Sequence, residues 1–153
     1  MSAVPQPRLQ YRSMRETDLA TVTAIETSVY EFPWTRGNFF DSLHAGYTCW
    51  LCYDAQGLVG YAVLMNASDE VHLLNLSIAG PRQRKGYGAR MLEFLVDNAR
   101  AVKARRFILE VRPSNGGGRR LYANFGFQQV GIRRDYYPAV VGREDALVLA
   151  LDL

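Results

Sequence analysis

Apolar residues recur along the chain at two spacings, and the switches between them mark out the elements. Leu9–Met14 reads as a first strand. Asp18 is placed to cap a helix that carries Leu19, Val22, Ile25 and Val29 at helical spacing. Phe32-Pro33-Trp34 breaks that helix, and Thr35 can cap a short second one reaching about Leu43. Tyr47–Tyr53 and Leu58–Met65 are strand-like, joined by the turn signal Asp54-Ala55-Gln56-Gly57, and Val71–Ile78 is a further strand. A turn-rich basic loop, Ala79–Gly88, leads into a long helix near Ala89–Lys103, where Met91, Leu92, Leu95, Val96 and Ala99 form one stripe. Arg106–Arg112 reads as a strand, Gly117–Phe125 as a helix, and Phe127–Arg134 and Glu144–Leu151 as two last strands. The order β-α-α-β-β-β-α-β-α-β-β predicts an α/β or α+β domain with helices packed on a sheet. No repeat or internal linker interrupts residues 9–153, and Met1–Arg8, with two prolines, is expected to form a flexible tail.

A hydrophobic content of 48% against 22% charged residues excludes a disordered or fibrous chain, and 153 residues suit one domain. The longest apolar runs are strand-length, well short of the ~18–20 residues a membrane span needs. The first eight residues have no apolar stretch resembling a secretion signal. Two cysteines are too few for a disulfide scaffold, so a cytoplasmic protein is expected. Cys49-Trp50-Leu51-Cys52 has the spacing of redox and metal sites, but on a strand residues three apart face opposite sides, and no metal is expected. His72, alone on its strand, reads as a structural histidine.

Charge adds a sharper signal. Residues 82–134 hold 13 Arg/Lys and 3 Asp/Glu, a net +10, and the remainder carries −7. A basic middle with acidic flanks suits an anionic ligand on one surface and a cationic partner on another. Within the basic segment lies Gln83-Arg84-Lys85-Gly86-Tyr87-Gly88-Ala89, between a strand and a long helix. Unpaired N–H groups at a helix start bind phosphate, and glycines let the backbone approach it. The dinucleotide pattern G-x-G-x-x-G fails because Met91 stands at the third glycine, and the Walker pattern fails for want of G-K-S or G-K-T.

The loop Gln83–Gly88 resembles the Q/R-x-x-G-x-G/A pyrophosphate loop of the GNAT superfamily of N-acetyltransferases, which bind acetyl-coenzyme A. Leu109-Glu110-Val111-Arg112-Pro113-Ser114-Asn115, Leu121-Tyr122 with Gly126-Phe127, Arg133-Arg134-Asp135-Tyr136-Tyr137-Pro138 and Gly142-Arg143-Glu144-Asp145-Ala146 follow in order. Together with the Phe32-Pro33-Trp34 turn they are similar to the bacterial ribosomal-protein alanine N-acetyltransferases, from about Leu9 onward. The resemblance implies a mixed, mostly antiparallel sheet of about seven strands flanked by about four helices. It implies acetyl-coenzyme A bound by Gln83–Ala89, by the backbone of Leu76, Ser77 and Ile78, and by Asn115. Ala79-Gly80 departs from the family's Val-Asp-Pro-like sequence and is expected to loosen the strand exit.

The resemblance further assigns Glu110 as general base and Tyr122 as the acid that protonates the departing thiolate. The residues alone would equally allow an edge glutamate paired with Arg112, a packing tyrosine, and an Asn115 that only caps the following helix. An α-amine, with pKa ~7.7–8.0, costs roughly 1 kcal/mol to deprotonate at pH 7, against roughly 4–5 kcal/mol for lysine, so one carboxylate suffices. Backbone N–H groups near Ser77–Ile78 are expected to stabilise the oxyanion. By the same resemblance Tyr136 and Tyr137, read as a loop between the last two strands, wall the peptide groove. Gly116-Gly117-Gly118 replaces an alanine-like run and is expected to loosen the first helical turn. The expected partner is the N-terminus of a small-subunit ribosomal protein, with no nucleic-acid or membrane role. The alternatives are a relative acetylating lysine, polyamine or other small amines, and a non-catalytic RNA- or ribosome-binding module.

Overall fold

Seven strands and four helices form as the periodicities require, in a computed structural model that describes residues 8–153. The tail expected over Met1–Arg8 lies, apart from Arg8, outside the described residues. In chain order the elements are β1 (Gln10–Ser13), α1 (Leu19–Val29), α2 (Arg36–His44), β2 (Thr48–Asp54), β3 (Gly57–Ala67) and β4 (Glu70–Ile78). Then come α3 (Tyr87–Ala101), β5 (Arg106–Val111), α4 (Gly116–Phe125), β6 (Gln128–Pro138) and β7 (Arg143–Asp152). The strands make one sheet in the order β1-β2-β3-β4-β5-β7-β6, in which only β4 and β5 run parallel.

Helices cover both faces. Leu19, Val22 and Phe39 of α1 and α2 pack on Leu51, Tyr61 and Val63 of β2 and β3. On the other face the α3 stripe, with Leu92, Leu95 and Val96, packs on Leu73, Phe107 and Leu109, and Phe127 closes the cluster. Cys49 belongs to the first cluster, whereas Cys52 packs with Tyr87 and Met91 beside α3, so the two thiols face opposite sides as the strand period requires. Both are buried and free, and burial pushes each up to about 11. Among the described residues no helix is long and apolar enough to cross a membrane.

Local chemistry matches at α2, where Thr35 Oγ1 accepts from the Asn38 N–H (3.1 Å) and Asn38 Oδ1 accepts from the Thr35 N–H (2.9 Å). It differs at α1. Asp18 makes no side-chain cap there; its carboxylate takes both Arg12 nitrogens (2.7 and 2.8 Å) and the Arg15 N–H, because a 3-10 turn over Glu16–Asp18 precedes the helix. Helix α3 starts two residues earlier than its apolar stripe suggests, at Tyr87, whose ring is buried. The largest difference is β6. It continues through Tyr136-Tyr137-Pro138 instead of ending near Arg134, so these residues are strand, not loop.

That extension carries a bulge. Arg133 pairs with Ala146 and Tyr137 with Glu144, leaving three residues on β6 opposite one on β7. Asp135 takes a left-handed φ of 51°, a conformation aspartate tolerates. Asp145 holds the bulge by accepting from the Asp135 N–H (2.9 Å) and Arg134 (3.0 Å), and Arg143 donates to the carbonyls of Asp135 and Tyr136.

Gly60 on β3 is required by contact, not by dihedral freedom: a Cβ there would lie 2.2 Å from the Ser77 carbonyl oxygen of β4. Gly60→Ala is therefore expected to destabilise the protein by about 1–3 kcal/mol through overpacking, read as a lower urea midpoint at unchanged slope.

Candidate active site

The parallel pairing of β4 and β5 runs from Glu70–Arg106 to Leu73–Leu109 and then stops. At the same point β4 bulges at Leu74 against Val63/Leu64 of β3, which resets its alternation. Beyond it Asn75 and Ser77 turn toward α1, and Leu76 and Ile78 turn toward α3. The side of β4 that faces β5 is thus left open by the sheet over its last residues. Ser77 is buried, and Leu76 and Ile78 pack partly beside Cys52 and Met91, with Leu76 also lining the cavity, so the open strand edge offers a ligand mainly backbone. Ser77 donates to Asn75 Oδ1 (2.6 Å), which makes Tyr30 the donor to Ser77 Oγ (2.8 Å).

Past Ile78 the chain turns sharply. The exit is not loose: the Ala79 N–H donates to the Val59 carbonyl (2.9 Å), and Gln83 Nε2 donates to the Ile78 carbonyl (3.0 Å). Arg84 and Gly86 both have left-handed φ, 63° and 82°, and Gly86 opens α3 without a side-chain cap. The first N–H groups of α3 therefore have no capping partner, with Arg84, Lys85 and Ala89 exposed around them. This suits a diphosphate. Tyr87 contributes only backbone there, since its ring is buried and its hydroxyl donates to Asp54 Oδ2 (2.7 Å). The room at Gly88 serves packing, because a Cβ there would touch Leu121 of α4 at 3.4 Å. Asp54, read from sequence as a turn residue, also accepts from Arg82, and these two donors hold its carboxyl well below the usual range.

On the α1 face a cavity of about 780 Å³ opens over the gap between β4 and β5. Glu110 reaches it from β5, Tyr122 from α4 and Tyr137 from β6. Glu110 shares its strand face with Ile108 and Arg112, but β5 is interior and Arg112 pairs with Glu144 (3.1 Å). The partner of Glu110 is His72, whose Nε2 bonds Oε2. Arg133 Nε lies 3.2 Å from Oε1 but is not aligned to donate, so Oε1 is buried without a hydrogen bond. Tyr122 is 9% exposed and edge-on to Phe127, and its hydroxyl makes no hydrogen bond to any described residue. Burial raises its hydroxyl pKa, with the Tyr30 and Tyr137 hydroxyls adding to the effect. Tyr137 lies under the Arg112 guanidinium (4.4 Å), whereas Tyr136 is 45% exposed, outside the cavity, and meets it only through its edge contact with Tyr137.

Two residues of the site escape a reading by motif, Glu26 on the cavity wall and His72 behind Glu110. Glu26 is buried on α1 and accepts from the Tyr61 hydroxyl (2.7 Å), the Trp34 N–H (2.9 Å) and Asn75 Nδ2 (3.1 Å). It fixes the Phe32-Pro33-Trp34 turn as one wall. A glutamate one turn after Val22 on the buried stripe was the available signal. His72 had none, since its contact with Glu110 exists only across two strands.

A split central pair, an anion-receptive helix start and a carboxylate–phenol cavity between them define an acyl-transfer enzyme of the GNAT type. Residues 19–127 match the acetyltransferase (GNAT) family model, and the chain belongs to this family. Its acetyl donor is acetyl-coenzyme A. Over 141 residues it is 33% identical to the ribosomal protein bS18-alanine N-acetyltransferase of Escherichia coli (strain K12), covering 92% of this chain and 95% of that one. The Salmonella typhimurium (strain LT2) enzyme of the same name is 34% identical over 137 residues, covering 90% and 93%. The crystal structure of the ribosomal-protein-S18-alanine N-acetyltransferase from Escherichia coli superposes with a TM-score of 0.87 at 32% identity, covering 95% of this chain and 94% of that one.

Asn115 caps α4 through Oδ1, which accepts from the Gly118 N–H (2.9 Å). This cap separates the glycines. A Cβ at Gly117 meets nothing nearer than 4.0 Å, but one at Gly118 would lie 2.7 Å from Asn115 Nδ2. Gly117→Ala is expected to stabilise by up to about 1 kcal/mol. Gly118→Ala is expected to lose about that much as the cap is displaced. Thermal unfolding of the two variants checks the opposite signs.

Proposed function

We propose that this enzyme acetylates the N-terminal alanine amine of a small-subunit ribosomal protein, with Glu110 as base and Tyr122 as acid. The carrying observation is that Glu110, whose Oε1 is buried without a hydrogen bond, lines the same cavity as Tyr122. The likeness to the bS18-alanine enzymes supports the choice of substrate. Glu31, also on the cavity rim, suits a basic segment after the first residue.

The donor supplies an acetyl thioester; the remaining work falls to the chain. Gln83–Ala89 holds the diphosphate on the N–H groups opening α3, and the open side of β4 at Leu76–Ile78 pairs with the arm of the donor. Asn115 steadies the donor from the start of α4, with its amide nitrogen free of the cap. Glu110 Oε1 accepts the proton of the attacking amine, directly or through a water. Tyr122 stays protonated because burial raises its pKa, and it donates toward the departing sulfur. The burial that makes the phenol a weak acid also disfavours the thiolate, so the two shift together and transfer stays feasible. Tyr137 and the Glu26-anchored turn close the groove around a small first side chain, with Tyr136 backing Tyr137.

Mass spectrometry of acetyl transfer to two peptides tests this. One begins with free alanine and a basic tail; the other has a blocked N-terminus and an internal lysine. Acetylation of the alanine peptide alone is expected, falling by about 10²–10⁴-fold in Glu110→Gln. Tyr122→Phe is expected to lower kcat about 10–100-fold at nearly unchanged acetyl-coenzyme A affinity. Acetylation of the lysine peptide alone overturns the substrate.

A further inference from the structure

The one described hydrogen bond from a side chain to the Glu110 carboxylate comes from His72. A glutamate's terminal torsion is broad, so an unheld carboxylate would sample many orientations. Here Oε2 is held by the imidazole, and Oε1 is buried without a hydrogen bond, 3.2 Å from Arg133 Nε, in a residue that lines the cavity. Glu110 is 7% exposed, whereas His72, at 21%, reaches solvent. The charged and titratable groups facing Glu110 are His72 from β4 and Arg133 and Tyr137 from β6. Arg112 and Glu144 pair with each other beyond Tyr137. The sheet neighbours of His72, Met65 on β3 and Ile108 on β5, cannot titrate.

We propose that His72 is a positioning residue for the base: its Nε2–H donates to Glu110 Oε2 and so fixes the orientation of the carboxylate on the cavity wall, and its charge sets how readily the carboxylate takes a proton. This rests on Glu110 acting as base. With a cationic imidazole the carboxylate lies between two positive groups, His72 and Arg133, and holds its charge. With a neutral imidazole one of them is gone and the carboxylate is the better proton acceptor. The proton from the amine goes to Oε1; His72 keeps its own throughout turnover.

The test is the pH dependence of kcat/KM for the alanine peptide at saturating acetyl-coenzyme A, in wild type, His72→Ala and His72→Gln. Glutamine places an N–H donor near Nε2 but does not titrate. In the wild type the amine must lose a proton (~7.7–8.0) and loss of the imidazole's charge further favours transfer, so the acid limb is expected to steepen from a slope of about one toward two. His72→Ala is expected to lose about tenfold or more in kcat at pH ~8, with donor affinity and melting temperature near wild type. His72→Gln is expected to recover to within about threefold, with a slope of about one.

Wild-type kcat in His72→Ala overturns the proposal, as does a glutamine variant no better than alanine with the slope still near two. Should the alanine variant fail to fold, the slope and rate of His72→Gln decide alone. Glu110→Gln separates the two readings. If it is inactive while His72→Ala is unimpaired, only the positioning role falls; if it is fully active, both fall.

Discussion

The constraint on which the site depends is the parting of β4 from β5. A sheet is stable because neighbouring strands satisfy one another's backbone, yet these two stop pairing after Leu73 and Leu109. The separation is built in from the other side, where the Leu74 bulge against β3 changes which way β4 presents its residues. From that step follow the open backbone side of β4, the inward Ser77 and Asn75, and a cavity above the gap with Glu110 on its floor. A continuous pairing to Ile78 would fill the slot and leave no route from helix start to carboxylate.

Much of this was legible in the sequence, because hydrophobic periodicity reports burial and burial follows the elements. The α3 stripe Met91–Ala99 and the alternation around Glu110 are both one-dimensional patterns, and both read correctly. The Thr35 cap of α2 was legible because a cap is local in sequence, though its reciprocal partner Asn38 was not read. What failed was non-local or irregular. Tyr136-Tyr137 looks like a loop because Pro138 and the surrounding polar residues carry no alternation, but an edge strand with a bulge has no buried face to alternate. Asp18 looks like a cap until Arg12, on the preceding strand, competes for its carboxylate.

The roles that stayed hidden belong to buried carboxylates and their partners. Burying a charge is tolerated only when it is well bonded, so each such group gathers donors from several elements. Glu26 draws on the α1–α2 turn, β3 and β4. Sequence gives no register across strands, and these contacts are all register. Motifs therefore point to candidates for a base, an acid and a phosphate loop but not to the frame that orients them.

Asp54 is the part of that frame with the widest reach. Its carboxylate, at the end of the β2–β3 hairpin, accepts from Arg82 before the anion-receptive loop and from Tyr87 after it. The loop between them is four residues long and carries two left-handed residues, a shape an untethered chain would seldom adopt. Ordering such a segment at the moment of binding would subtract conformational entropy from every productive encounter. Tethered at both ends, the loop is shaped before any anion arrives, so the entropic cost of ordering it falls on folding and not on binding.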